Sequence, residues 1–198
     1  MDNNRDQTLN DMPTWSQSKT DYILPFEEKT AYKQRMYCIV LRHLSPIQKG
    51  IQSAHAIAEY LKDYFNNPVT AQWLLNDKTI VVLDCKSSTE LKGLLSLLDK
   101  ERIAYQKFAE EDLYSGVTAL CFLADERTYD YSNYPEYEDY CRLKNMITTI
   151  PPTILSNGSV SQVVVDPPKS VSYDEYEEWI GRDNLIKRQI IRNRRTSQ

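Results

Sequence analysis

One of the two histidines in the chain, His55, stands among polar residues spaced to share its surroundings. The stretch "SPIQKGIQSAHAIAEYL" runs from Ser45 to Leu61. A helix over it places Gln48, Gln52, His55 and Glu59 within about 60° of one another. Two amides, an imidazole and a carboxylate in one row can donate, accept and exchange a proton. The free backbone N–H groups at the start of such a helix add a partial positive charge that suits an anion such as phosphate. The same row would serve equally well as a solvated face with a half-buried histidine. Its neighbours along the chain therefore have to decide.

Ser45 and Pro46 are a strong helix start, a capping hydroxyl followed by proline at the first helical position. Ile47, Ile51, Ala54, Ala58, Leu61 and Phe65 fall on one stripe, centred roughly 110° from the polar row. That stripe is the expected core face, with small residues at 54, 56 and 58 letting the helix approach a sheet. Asn66-Asn67-Pro68 ends it. "VTAQWLL" reads as a second, short helix.

Strands are expected on either side. "MYCIVLR" (36–42) and "KTIVVLDC" (78–85) are continuous apolar runs of buried-strand length, and "IAYQKF" (103–108) and "VTALCFLA" (117–124) follow. Between the second and third strands, Ser87 and Glu90 are spaced as a capping box ahead of Leu91, Leu94, Leu95 and Leu98, an amphipathic helix. Strands alternating with helices imply a largely parallel sheet covered on both faces. The loop between the last two strands is too short for a crossover helix, so these two should pair antiparallel. The expectation is a three-layer α/β/α domain with a four-stranded mixed sheet over 34–127. A polar N-terminal arm (1–33) precedes it. A Tyr- and acid-rich extension (128–198) follows, with Asn157-Gly158 as a hairpin signal and a basic helix at the end. Gly181 is positioned to interrupt that helix.

With order and spacing in hand, "MYCIVLRHLSPIQKGIQSAHAIAEYL", "KTIVVLDC", "ELKGLLSLLDKERIAYQKF" and "VTALCFLA" resemble the type II peptidyl-tRNA hydrolase family over about residues 36–126. That family opens on a strand and a helix bearing K-x-x-x-Q-x-x-H-A. Gln52, His55 and Ala56 match its second half, and Thr118 and Leu120 match the T-x-L of its final strand. Two departures stand out. Gln48 occupies the position of the motif lysine, with Lys49 one step on, where a helix turns a side chain by about 100°. The D-A-G-R-T-Q loop of the family is replaced by the acidic "EEDLYSG", and the chain looks like a divergent member with such a loop.

The resemblance implies hydrolysis of the ester between a peptide or amino acid and the tRNA 3′ end, without a cofactor or metal. Such chemistry needs a base to activate water and a donor for the developing oxyanion. Asp112 or Glu111 could be the base, Lys49 or Thr118 the oxyanion donor, with Gln52 and His55 holding geometry. Gln48, Gln52, Glu59, Glu111 and Tyr114 would line the substrate. A second reading is an inactive module that holds a tRNA end or a nucleotide on the same fold. A third is an interaction protein acting through its extension. A homodimer is compatible with each.

Composition narrows the field. Charged residues make up 26% of 198 and the net charge is −4, with the acid gathered in 128–181 and the base after Arg182. A large nucleic-acid surface on the core is thereby disfavoured. No apolar run approaches the roughly 18 residues a membrane span requires, and the polar start lacks a signal-peptide core. The expectation is a cytoplasmic protein without membrane contact. The four cysteines, Cys38, Cys85, Cys121 and Cys141, are spaced neither as a metal knuckle nor as a nucleophile with its base. They are read as reduced, buried thiols.

Overall fold

Four strands build the centre of the molecule: β1 (Gln34–Leu41), β2 (Thr79–Cys85), β3 (Gln106–Glu110) and β4 (Gly116–Asp125). The computed structural model describes residues 32–110, 116–148 and 171–194, with side chains in the second range only through Lys144. The sheet order is β2-β1-β4-β3. β1 pairs parallel with β2 and antiparallel with β4, and β3 pairs antiparallel with β4. β1, β2 and β3 thus run in one direction and β4 against them. The carboxyl ends of three strands and the start of β4 share one edge of the sheet, which is where a ligand site forms in open α/β folds.

Period-two alternation sends each strand's side chains to opposite faces. Met36, Cys38 and Val40 of β1 join Ala119, Cys121 and Leu123 of β4 on one face, under helix α1 (Pro46–Tyr64). Tyr37, Ile39 and Leu41 join Leu120, Phe122 and Ala124 on the other. That face is covered by α3 (Ser88–Lys100), through Leu91, Leu94, Leu95 and Leu98, and by Ile190 from the C-terminal end of the chain. Fully burying residues such as Phe122, Ile39 and Leu120 contributes about 1.5–3 kcal/mol each. The architecture is the expected three-layer α/β/α arrangement with a four-stranded mixed sheet.

Local signals account for the helix starts. Ser45 accepts from the Gln48 N–H at 3.3 Å while its own N–H donates to Gln48 Oε1 at 3.0 Å, a full capping box. The expected short helix is α2 (Pro68–Gln72), which runs on as a π-helical turn through Asp77. The stretch "YDYSNYPEYEDY" (129–140) has no hydrophobic period. It begins on the last residue of a single helical turn, α4 (Glu126–Tyr129), and ends inside α5 (Tyr137–Thr148). Tyr129 packs on the sheet, but Tyr134, Tyr137 and Tyr140 pack around Tyr176 and Trp179, so no single stripe marks the helix. Gly181, at φ 87°, divides the last helix into α6 (Tyr173–Ile180) and α7 (Arg182–Arg192). The N-terminal arm through residue 31 and the Asn157-Gly158 hairpin lie outside the described residues.

One expectation fails. The stripe Ile47, Ile51, Ala54, Ala58, Leu61 and Phe65 is not the core face of α1: Ile47 is 76% and Ile51 48% exposed, Phe65 is exposed as well, and Leu61 alone of the six packs against the core, at its margin. The buried face is Lys49, Gln52, Ser53, Ala56 and Tyr60, rotated by roughly 165°. Three of those five are polar at the helix start, and they can be buried because the sheet supplies their partners. The close approach is made at Ser53 and Ala56, where the Ala56 carbonyl accepts the Cys121 thiol at 3.2 Å.

Candidate functional site

Two polar clusters lie under the first two turns of α1, at the edge where β1, β2 and β3 end. In the first, Gln52 bridges two strands. Its Oε1 accepts from Thr118 Oγ1 at 2.6 Å, and its Nε2 donates to the Glu110 carboxylate. A carboxylate only accepts, which fixes the amide orientation and obliges Thr118 to donate. Thr118 is 1% exposed and also lies 3.5 Å from the Phe108 carbonyl. Glu110 is half-buried and is the last residue of β3, where the acidic loop begins. Gln52 and Thr118 are thus in direct contact.

In the second cluster Lys49 Nζ meets Asp84 Oδ1 at 2.8 Å, with side chains only 9% and 13% exposed. Arg42 Nε stands 3.7 Å from the other oxygen of Asp84. Asp84 was missed in the sequence, although a carboxylate one residue from the end of an otherwise apolar strand was a signal for it. Lys49 points under the helix toward β2. Gln48, on the exposed side, spends its amide oxygen on the cap.

His55 is exposed, and its ring lies flat on Phe108 of β3 with centroids 4.4 Å apart and planes 14° from parallel. It sits one turn beyond Gln52, on the side of the helix that faces β3. Glu59 pairs with Lys62 at 3.1 Å. The polar row therefore splits: Gln52 is drawn into the cluster, His55 roofs β3, Gln48 caps, and Glu59 pairs along the helix surface. Glu111, Asp112 and Tyr114 lie outside the described residues. Glu110 and Gly116, which flank them in the chain, stand opposite one another in the β3–β4 register.

The thiols play a structural part. All four cysteines are free; Cys38, Cys85 and Cys121 are buried as expected, whereas Cys141, on α5, is only partly buried. Burial pushes the Cys38 thiol up to about 12, against the opposing hydrogen bond from Ser53, and pushes Cys121 up as well. A thiol so raised is not a nucleophile at neutral pH. Among the described residues, no group of three or more His, Cys, Asp or Glu side chains is placed to hold a metal ion. Among them, too, no helix is long and apolar enough to cross a membrane.

No protein-family model matches the chain, and no curated protein is similar to it. Among solved structures, a protein of unknown function from Agrobacterium tumefaciens strain C58 is similar over 54% of this chain and 96% of its own, at 14% identity and a TM-score of 0.37. At that level the likeness decides neither fold nor function.

Proposed function

We propose that the chain is a divergent protein of the type II peptidyl-tRNA hydrolase kind, acting on the ester at the tRNA 3′ end from the edge where β1, β2 and β3 finish. The supporting observation is the Glu110–Gln52–Thr118 chain of hydrogen bonds, which couples two motif residues to the first carboxylate of the acidic loop. In this reading a loop carboxylate, Asp112 or Glu111, takes a proton from water as it attacks the ester carbonyl. Thr118 and the amide of Gln52 hold the acidic strand end against the helix, and His55 with Phe108 offers a flat surface for a base or the terminal ribose. The ester C–O bond breaks, and the tRNA 3′ oxygen leaves with a proton.

A second reading has its own support. The position of the motif lysine is taken by a capping glutamine, and Lys49 is tied to Asp84. A fold that has committed this lysine to an ion pair would hold a tRNA end or a nucleotide without cleaving it. Release of labelled peptide from a model peptidyl-tRNA separates the two. Under the first reading the full chain cleaves it, and Asp112→Asn and His55→Ala abolish or reduce turnover. Binding with no release, in a preparation whose folding is verified, would discard the hydrolase and keep the module.

A further inference from the structure

Beside the Lys49–Asp84 pair, a cleft of 280 Å³ is lined by Arg42, Asp84, Lys86, Glu90, Asn193 and Arg194. It forms where β1 and β2 end. The Arg42 N–H bonds the Cys85 carbonyl at 2.8 Å and continues the ladder, so Arg42 and Lys86 follow the Leu41–Cys85 pair side by side. Two cations at neighbouring strand ends repel each other. Arg194 arrives from the far end of the chain, just past α7.

Its guanidinium is the unusual group. The side chain is 5% exposed. Nη2 meets Glu90 at 3.0 Å and Nη1 bonds the Ile190 carbonyl, but among the described residues the buried Nε has no hydrogen-bond partner. An arginine that deeply buried ordinarily has its donors met. The balance of charge over the cleft and its floor is four cations (Arg42, Lys49, Lys86, Arg194) against two anions (Asp84, Glu90), in a chain whose net charge is −4. The start of α3, capped by Ser87, adds the positive end of a helix. Glu90 already senses this environment. Burial would raise its pKa, yet the Lys86 N–H, the Cys85 thiol and the charges of Arg194 and Lys86 hold it below its ordinary value.

We propose that this cleft binds the phosphate group of a small phosphorylated ligand, with Arg42, Lys86 and Arg194 as its cationic walls and Glu90 positioning Arg194. At 280 Å³ the cleft stands at the lower limit of small-molecule pockets, which run about 300–1,000 Å³. It fits one phosphate group with the rest of the ligand outside. This site is separate from the Gln52–Thr118 cluster and does not depend on the ester-hydrolase reading.

The test is calorimetric titration of the full chain with inorganic phosphate, with adenosine monophosphate and with a short single-stranded RNA, against chloride at matched ionic strength. Phosphate and the monophosphate should bind, and Arg194→Gln and Lys86→Gln should each weaken both at least tenfold. Arg142→Gln, at an exposed helix position, should change nothing. Should Arg194→Gln fail to fold, Arg42→Gln, on an open surface, carries the same expectation. Phosphate that behaves like chloride, or binding indifferent to all three substitutions, overturns the proposal. So does RNA binding far more tightly than the monophosphate through these residues, because the ligand would then be a nucleic-acid backbone.

Discussion

Replacing Lys49 by methionine separates a structural lysine from a chemical one. Nζ lies 2.8 Å from Asp84 Oδ1, and both side chains are about nine-tenths buried. Breaking a buried pair by removing one partner costs about 3–5 kcal/mol, because the other charge stays behind uncompensated. Here Arg42 remains 3.7 Å from Asp84, with its own side chain half exposed. It can swing closer, which brings the expected loss to the lower end, about 3 kcal/mol. The double variant Lys49→Met/Asp84→Leu removes both charges and should recover to within about 1 kcal/mol of the parent. Equilibrium unfolding in urea measures both, with the m-value unchanged if the denatured state is unaffected. A loss under 1 kcal/mol for Lys49→Met, or a double variant as unstable as the sum of the singles, would refute the reasoning. Lys49 would then have to be held by something other than Asp84.

Four further outcomes follow from the same contacts. Thr118→Val strips a buried hydroxyl and leaves Gln52 Oε1 without a donor, so stability should fall by about 1–3 kcal/mol in urea unfolding. Ile47→Glu and Ile51→Glu should each stay within about 0.5 kcal/mol of the parent, since both side chains face outward; a loss of several kcal/mol would restore the apolar stripe to the core. Arg188→Met should cost about 3 kcal/mol or more, because its guanidinium serves the Arg127, Tyr134 and Pro135 carbonyls at once. Glu90, with its pKa depressed in the folded chain, adds stability that is complete above its ordinary value of 4.5 and is lost as the pH falls below it, through the folded value; Glu90→Gln should flatten that part of a stability–pH curve.

The sheet was legible because its information is local. Four apolar runs, the short β3–β4 connection and the caps at Ser45 and Ser87 each follow from residues within one turn or loop. The break at Gly181 is equally local. The rotation of α1 is not. Its apolar stripe obeys the helical period as well as any core face does, and the choice between the two sides rests on Asp84, Glu110 and Thr118, which lie 35, 58 and 66 residues from their partners. Arg194 is further removed still, 104 residues from Glu90, and nothing near it announces a cleft.

That rotation also says where the chain has invested its polar groups. Down the buried face of α1, the first turns present Lys49, Gln52 and Ser53, and the later ones Ala56 and Tyr60, with Ile57, Leu61 and Tyr64 alongside. A helix selected only to cover a sheet would turn Ile47 and Ile51 inward and gain about 1.5–3 kcal/mol for each. It would also avoid burying an ammonium whose pairing at best offsets its desolvation. The chain does the opposite, and only beside the edge where β1, β2 and β3 terminate. Farther along the helix the ordinary apolar packing resumes. Stability alone does not explain a polar seam confined to one end of one helix, whereas a ligand site at the strand ends does. If the seam were an accident of packing, replacing Gln52 and Thr118 together by leucine and valine would raise stability and leave peptidyl-tRNA cleavage and tRNA-end binding unmoved. On the view taken here, the same exchange holds or improves stability and abolishes them.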